Sequence, residues 1–118
     1  MINQTFDTFK IGYQKNIPVL TFQEKRIYLQ LSEKFKEEIG EFLVNGGKNL
    51  ILDLSDVNVM NSAALGVLIA LQSDIEKRKG RMSIVGLQPL MEEIFSRMRL
   101  ELIFDIDKSV ESAASKFA

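Results

Sequence analysis

The feature that most constrains this chain is Leu50-Ile51-Leu52-Asp53-Leu54, a nearly unbroken apolar run about one strand long. Such a run suits a central strand covered on both faces, and that requires helices to do the covering. The rest of the chain supplies them. Leu31, Phe35, Ile39, Phe42 and Leu43 recur at helical spacing, while Glu33, Lys34, Lys36, Glu37, Glu38 and Glu41 fill the opposite face. This predicts an amphipathic helix over Leu29 to Val44, stopped by Asn45-Gly46-Gly47. After the loop Ser55 to Asn61, a second helix is expected from Ser62 to Arg78, with Ala64, Val67, Leu68, Leu71 and Ile75 as its buried stripe and Gly80 as its end.

The flanking segments follow the same logic. Phe9, Ile11 and Tyr13 alternate with Lys10, Gly12 and Gln14, and Ile17 to Gln23 reads as a second strand. The short Lys15-Asn16 connection between them predicts an antiparallel hairpin. Met82 to Gly86 is a further strand, and Pro89 opens a helix where no backbone N–H is needed. Leu90, Met91, Ile94, Phe95 and Met98 form that helix's core face, and Met82, Met91 and Met98 are all expected to pack inside. Leu102, Phe104 and Ile106 suggest a last strand. Asp107 then caps a final helix carrying Val110, Ala113, Ala114 and Phe117. The order is β-β-α-β-α-β-α-β-α. It predicts one α/β domain over residues 1–118, with a mixed, mostly parallel sheet of about five strands and about four helices.

Composition narrows the chemistry. The chain has no Cys and no His, so thiol nucleophiles, disulfides, Cys zinc sites and Ser-His-Asp catalysis are excluded. Its 16 acidic and 15 basic residues leave a net charge of -1, which argues against direct nucleic-acid binding. The segment Met1 to Asp7 lacks the basic-then-apolar pattern of a signal peptide, and no stretch approaches the ~20 apolar residues of a membrane span. The expectation is a cytoplasmic protein, a monomer, with no cofactor and no metal.

In open α/β sheets, sites gather beyond the carboxyl ends of the strands, where the Ser55–Asn61 loop falls. Ser62 stands at the helix start. The plain reading makes its hydroxyl an N-cap. The functional reading makes it a phosphoacceptor, since exposed N–H groups and the helix dipole favour negative charge there. Asp53 and Asp56 suggest a cation site, against the commoner role of Asp in bonding turn backbone. Lys77-Arg78-Lys79 with Arg81 forms a basic knot, either a cation-favoured helix C-terminus or a phosphate or partner patch. Gly46-Gly47 has no surrounding phosphate-loop pattern. Leu65 and Ile69 lie off the main stripe of their helix, covered by a neighbouring helix or forming an apolar surface beside Ser62.

The block Leu50-Ile51-Leu52-Asp53-Leu54-Ser55-Asp56-Val57, followed by Val59-Met60-Asn61-Ser62-Ala63-Ala64-Leu65-Gly66, resembles the STAS domain family, and within it the bacterial anti-sigma factor antagonists. The resemblance extends over nearly the whole chain. It implies a non-enzymatic switch. An unphosphorylated antagonist binds an anti-sigma factor that is also a serine kinase, freeing the sigma factor. Phosphorylation of the serine matching Ser62 ends the binding, and a serine phosphatase restores it. Ser62 is then the phosphoacceptor, and Val59, Met60, Asn61, Ala63 and Leu65 are partner contacts. Asn61 stands where the family usually has Asp. Ala63 and Ala64 replace a small Ser or Ala and a Gly. Lys25-Arg26-Ile27-Tyr28 replaces a common Gly-x-Leu-Asp, so the acidic residue of the partner surface is missing. Two other readings stand beside this one: a constitutive STAS interaction module in a scaffold or transport-linked complex, and a small nucleotide-binding domain, which the missing Gly-rich loop disfavours.

Overall fold

The computed structural model describes residues 6–44 and 47–117. The expectations for Met1 to Thr5, and for Asn45-Gly46 as a helix stop, lie outside the described residues. Five strands form the main sheet: β1 (Phe9–Gln14), β2 (Ile17–Phe22), β4 (Asn49–Asp53), β6 (Arg81–Val85) and β7 (Asp105–Asp107), in the order β1-β2-β4-β6-β7. The β1–β2 pair is antiparallel and every other pair is parallel. Lys15 and Asn16 both take positive φ, 52° and 66°, which is the turn geometry that matches hairpin twist. A second, two-stranded sheet joins β3 (Arg26–Ile27) to β5 (Val59–Met60) in parallel. Four helices complete the fold: α1 (Leu29–Val44), α2 (Ser62–Lys77), α3 (Pro89–Arg97) and α4 (Val110–Ala114).

Strand alternation divides the core in two. Leu20, Phe22, Leu50, Leu52, Met82 and Ile84 point to one face, where they meet Phe35 and Ile39 of α1, Leu68 and Ile75 of α2, and Met91 and Phe95 of α3. Val19, Ile51 and Val85 point to the other face, where among the described residues they cluster with Ala113 and Ala114, with Ile17, Val110 and Phe117 at the margin. Leu50 to Leu52 is thus covered on both sides, as its unbroken apolar run requires.

Glu38, assigned from periodicity to the solvent side of α1, reaches the residues just before β1 instead. Its carboxylate accepts from the Asp7 and Thr8 amides and the Thr8 hydroxyl, and Lys34 pairs with Asp7 at 2.7 Å. These bonds satisfy Thr8, which is fully buried.

The C-terminal third departs from expectation. Leu100–Leu102 is a 3-10 turn rather than strand, Leu102 is exposed, and only Phe104 of the expected alternation is deeply buried. Arg99, at φ 53°, precedes that turn, and the expected last strand forms only over Asp105–Asp107. Met82 and Met91 pack in the core, whereas Met98 follows the end of α3 and is exposed. Asp107 does not cap α4. Ser109 does so, its hydroxyl accepting from the Ser112 amide at 3.1 Å. Asp107 pairs with Lys116 at 2.7 Å. That bond and one from Ser112 hold the carboxyl below its ordinary value, at about 2.

The end of α2 also differs in detail. The left-handed residue is Lys79, at φ 60°, and Gly80 is required for space. A Cβ there would collide with the Lys48 backbone carbonyl. The basic knot that follows is tied into the fold. Arg78 donates to the Leu43 carbonyl, while Arg81 pairs with Asp105, donates to the Lys116 carbonyl and lies over the Phe117 ring.

Candidate functional site

The loop leaving the carboxyl end of β4 is held from two sides. On one side, β5 lies against β3. The Lys25 carbonyl accepts from the amides of Asn58 at 2.6 Å and Val59 at 3.3 Å, and the Ile27 carbonyl accepts from the Asn61 amide at 3.2 Å. On the other side, the Leu54 amide donates to the Val85 carbonyl, and Gln88 Nε2 donates to the Ser55 carbonyl at 2.7 Å. Gly86 makes this second approach possible. Its φ is +77°, and a Cβ there would sit 3.0 Å from both Asp53 Oδ1 and Ser55 Cβ. The loop therefore presents α2 from a fixed base rather than from a slack connection.

Asn61, not Ser62, caps α2. Its backbone is extended, with φ -83° and ψ 176°, and its Oδ1 accepts from the Ala64 amide at 2.9 Å. The Asn61 carbonyl accepts the first helical bond, from Leu65, at 3.0 Å. Ser62 is already the first helical residue, one position too far along to cap. This corrects the expectation that its hydroxyl serves as the cap, and leaves the exposed Ser62 side chain available. The amides of Ser62 and Ala63 precede the first intrahelical bond, and the first turn of α2 contains no acidic residue. A negative group on Ser62 would meet the positive end of the helix with no carboxylate from its own first turn.

The other expected site residues divide by burial. Val59, Asn61 and Ala63 are half-buried and reach the surface around Ser62. Met60 and Leu65 are core residues, 4% and 3% exposed, and Ile69 packs against the same core. In the free chain Met60 and Leu65 thus lie just beneath the surface around Ser62, and the coverage reading of Leu65 and Ile69 is the one the packing favours. Asp53 Oδ1 accepts from the Ser55 amide at 2.9 Å, the turn role of Asp, and Asp56 is exposed. No group of three or more metal-ligating acidic side chains occurs among the described residues.

Sequence reasoning missed three supports of the site: Gly86, Gln88 and the β3–β5 pairing. The pairing's one local signal was Ile27, the apolar position in an otherwise polar stretch. It is fully buried, whereas Arg26 and Tyr28 on either side are exposed. The segment Lys25 to Tyr28 is therefore part of the Ser62 neighbourhood.

Residues 10–113 match the model of the STAS domain family, and the chain belongs to that family. Among curated relatives, "Putative anti-sigma factor antagonist BtrV" of Bordetella bronchiseptica is 26% identical over 86 residues, covering 73% of this chain and 74% of that protein. The fold also matches solved structures. A Thermotoga maritima protein described as a "putative anti-sigma factor antagonist" superposes with TM-score 0.82 at 23% identity, over 92% of this chain and 93% of that one. The Bacillus cell fate determinant SpoIIAA in its phosphorylated form gives TM-score 0.70 at 16% identity, over 93% and 99%. No helix among the described residues is long and apolar enough to cross a membrane.

Proposed function

We propose that this protein is an anti-sigma factor antagonist whose partner binding is switched by phosphorylation of Ser62. In the unphosphorylated state the surface formed by Ser62, Val59, Asn61 and Ala63, with Met60 and Leu65 beneath it, binds an anti-sigma factor that is also a serine kinase, and the sigma factor is released. The kinase transfers a phosphoryl group to Ser62, and a serine phosphatase removes it. This chain contributes no catalytic residue, cofactor or metal. It acts in the cytoplasm as a monomer, without touching nucleic acid itself.

The observation that carries this reading is the exposed Ser62 at the first position of α2, relieved of capping by Asn61. A phosphoryl group adds about -1.5 to -2 charges at one surface point. The helix start tolerates that charge, so the fold persists while a partner surface matched to a neutral hydroxyl is repelled. Membership of the STAS family and the names of the relatives support the partner class.

The test is phosphopeptide mass spectrometry of the protein from its own cells across growth and stress conditions, followed by Ser62→Ala and Ser62→Asp. The expected result is a condition-dependent phosphate on Ser62, with Ser62→Ala retaining the partner permanently and Ser62→Asp losing it. Full phosphorylation of Ser62→Ala by the cognate kinase would refute the assignment. A second reading, a constitutive STAS interaction module, draws on the Lys25–Tyr28 stretch, which is hydrogen-bonded to the Ser62 loop yet carries Tyr28 where the family commonly places an acid. Equal partner affinity of Ser62→Ala and Ser62→Asp would establish that module instead.

A further inference from the structure

The connections leaving β6 and β7 diverge. The chain after β6 enters α3, which packs on the larger core with Met91 and Phe95, whereas the chain after β7 enters α4, which packs on the smaller core with Ala113 and Ala114. Adjacent parallel strands whose connections leave for opposite faces open a crevice at their carboxyl ends, the position at which open α/β sheets bind ligands. A crevice of about 670 Å³ lies there, lined by Gly86, Leu87, Glu92, Ile106, Asp107, Lys108 and Ser112. It is separate from the Ser62 surface, although the Gly86–Gln88 loop borders both.

The lining dictates the ligand chemistry. The Asp107 carboxylate is engaged by Lys116 and Ser112. Glu92 and Lys108 both line the crevice, both are exposed, and neither has an ion-pair partner among the described residues. A simple anion would meet Glu92, and a simple cation would meet Lys108. Leu87 and Ile106, half-buried, give the lining an apolar part. One carboxylate, one ammonium ion and an apolar wall together match a ligand carrying both charges and an apolar body.

We propose that this crevice is a binding site for an α-amino acid with an apolar side chain, Lys108 taking its carboxylate and Glu92 its ammonium group. The test is an amide NMR titration of the full chain with alanine, valine, leucine, methionine and phenylalanine. Leucine is then compared with 4-methylpentanoate and 3-methylbutylamine, which keep the side chain but carry one charge each. Saturable shifts are expected at Gly86, Leu87, Ile106, Lys108 and Ser112, with the single-charge analogues at least about tenfold weaker. Glu92→Gln and Lys108→Gln should each weaken binding about tenfold while leaving the melting temperature unchanged, because both side chains are exposed. The proposal is overturned if none of the five amino acids gives saturable shifts up to about 20 mM, if the shifts fall elsewhere, or if the analogues or either variant bind as well.

Discussion

The two faces of the sheet are stabilised by different forces. The larger face is covered by α1, α2 and α3, and its centre is aromatic and aliphatic. Phe35 sits between Phe9 and Phe22, at ring separations of 5.7 and 4.3 Å. The smaller face is covered by α4, five residues long, whose core contribution is two alanines. What fixes α4 is polar: Lys116 with Asp107, Ser112 with Asp107, and Arg81 with Asp105, the Lys116 carbonyl and the Phe117 ring. One face thus rests on apolar area removed from water, the other on geometry and charge around a small apolar patch. The two should fail under different conditions.

The largest separation should come from the aromatic centre. Phe35→Ala should lower unfolding free energy by about 3–5 kcal/mol in denaturant melts, because it opens a cavity where three rings meet. A loss below about 1 kcal/mol would mean that the larger face is not the main source of stability. Gly86→Ala, at the rim joining the loops after β4 and β6, should cost about 1–3 kcal/mol through positive φ and crowding against Asp53 and Ser55. It should also loosen amide protection at Ser55.

Acid should act on the smaller face first. The Asp107 carboxyl is depressed from 3.8 to about 2, so its contribution is fully present above pH 3.8 and disappears as pH falls through 2. Asp107→Asn should remove about 1–2 kcal/mol at neutral pH, reduced from the full shift because Lys116 is half-exposed, and should flatten the stability profile between pH 4 and 2. Amide exchange in α4, compared with α1, reads whether the loss is local. The smallest effect belongs to the functional rim. Asn61→Ala should cost about 1 kcal/mol by removing the cap of α2, and Asn61→Asp should recover it. If Ser62→Ala were the costlier of the two, the capping assignment would be wrong.

Elements defined by their own periodicity were legible from residue types. Helix α1 runs from Leu29 to Val44 as its apolar spacing predicts, α2 begins at Ser62, Pro89 opens α3, and the Lys15-Asn16 hairpin forms. The location of the candidate site was legible too, since strand, loop and helix start occur in one continuous segment. The β3–β5 pairing was not. Each strand is two residues long, too short for any alternation to show, and its partner lies over 30 positions away in sequence. The C-terminal third misled because Leu102, Phe104 and Ile106 do alternate, yet Leu102 lies in a 3-10 turn and only Ile106 falls within the paired strand, Asp105–Asp107.

By itself, then, the sequence determined the layers of this protein, because burying a periodic apolar face admits few arrangements. The tertiary structure decided which of two adjacent polar residues caps α2, since Asn61 and Ser62 are both good capping types and one residue of backbone direction separates the roles. It also decided that Met60 and Leu65 belong to the core while Ser62 faces solvent, and that Lys25 to Tyr28 stands beside the loop. Local pattern fixes what each segment becomes. Contacts between segments distant in sequence fix which atoms are left at the surface for a partner to read.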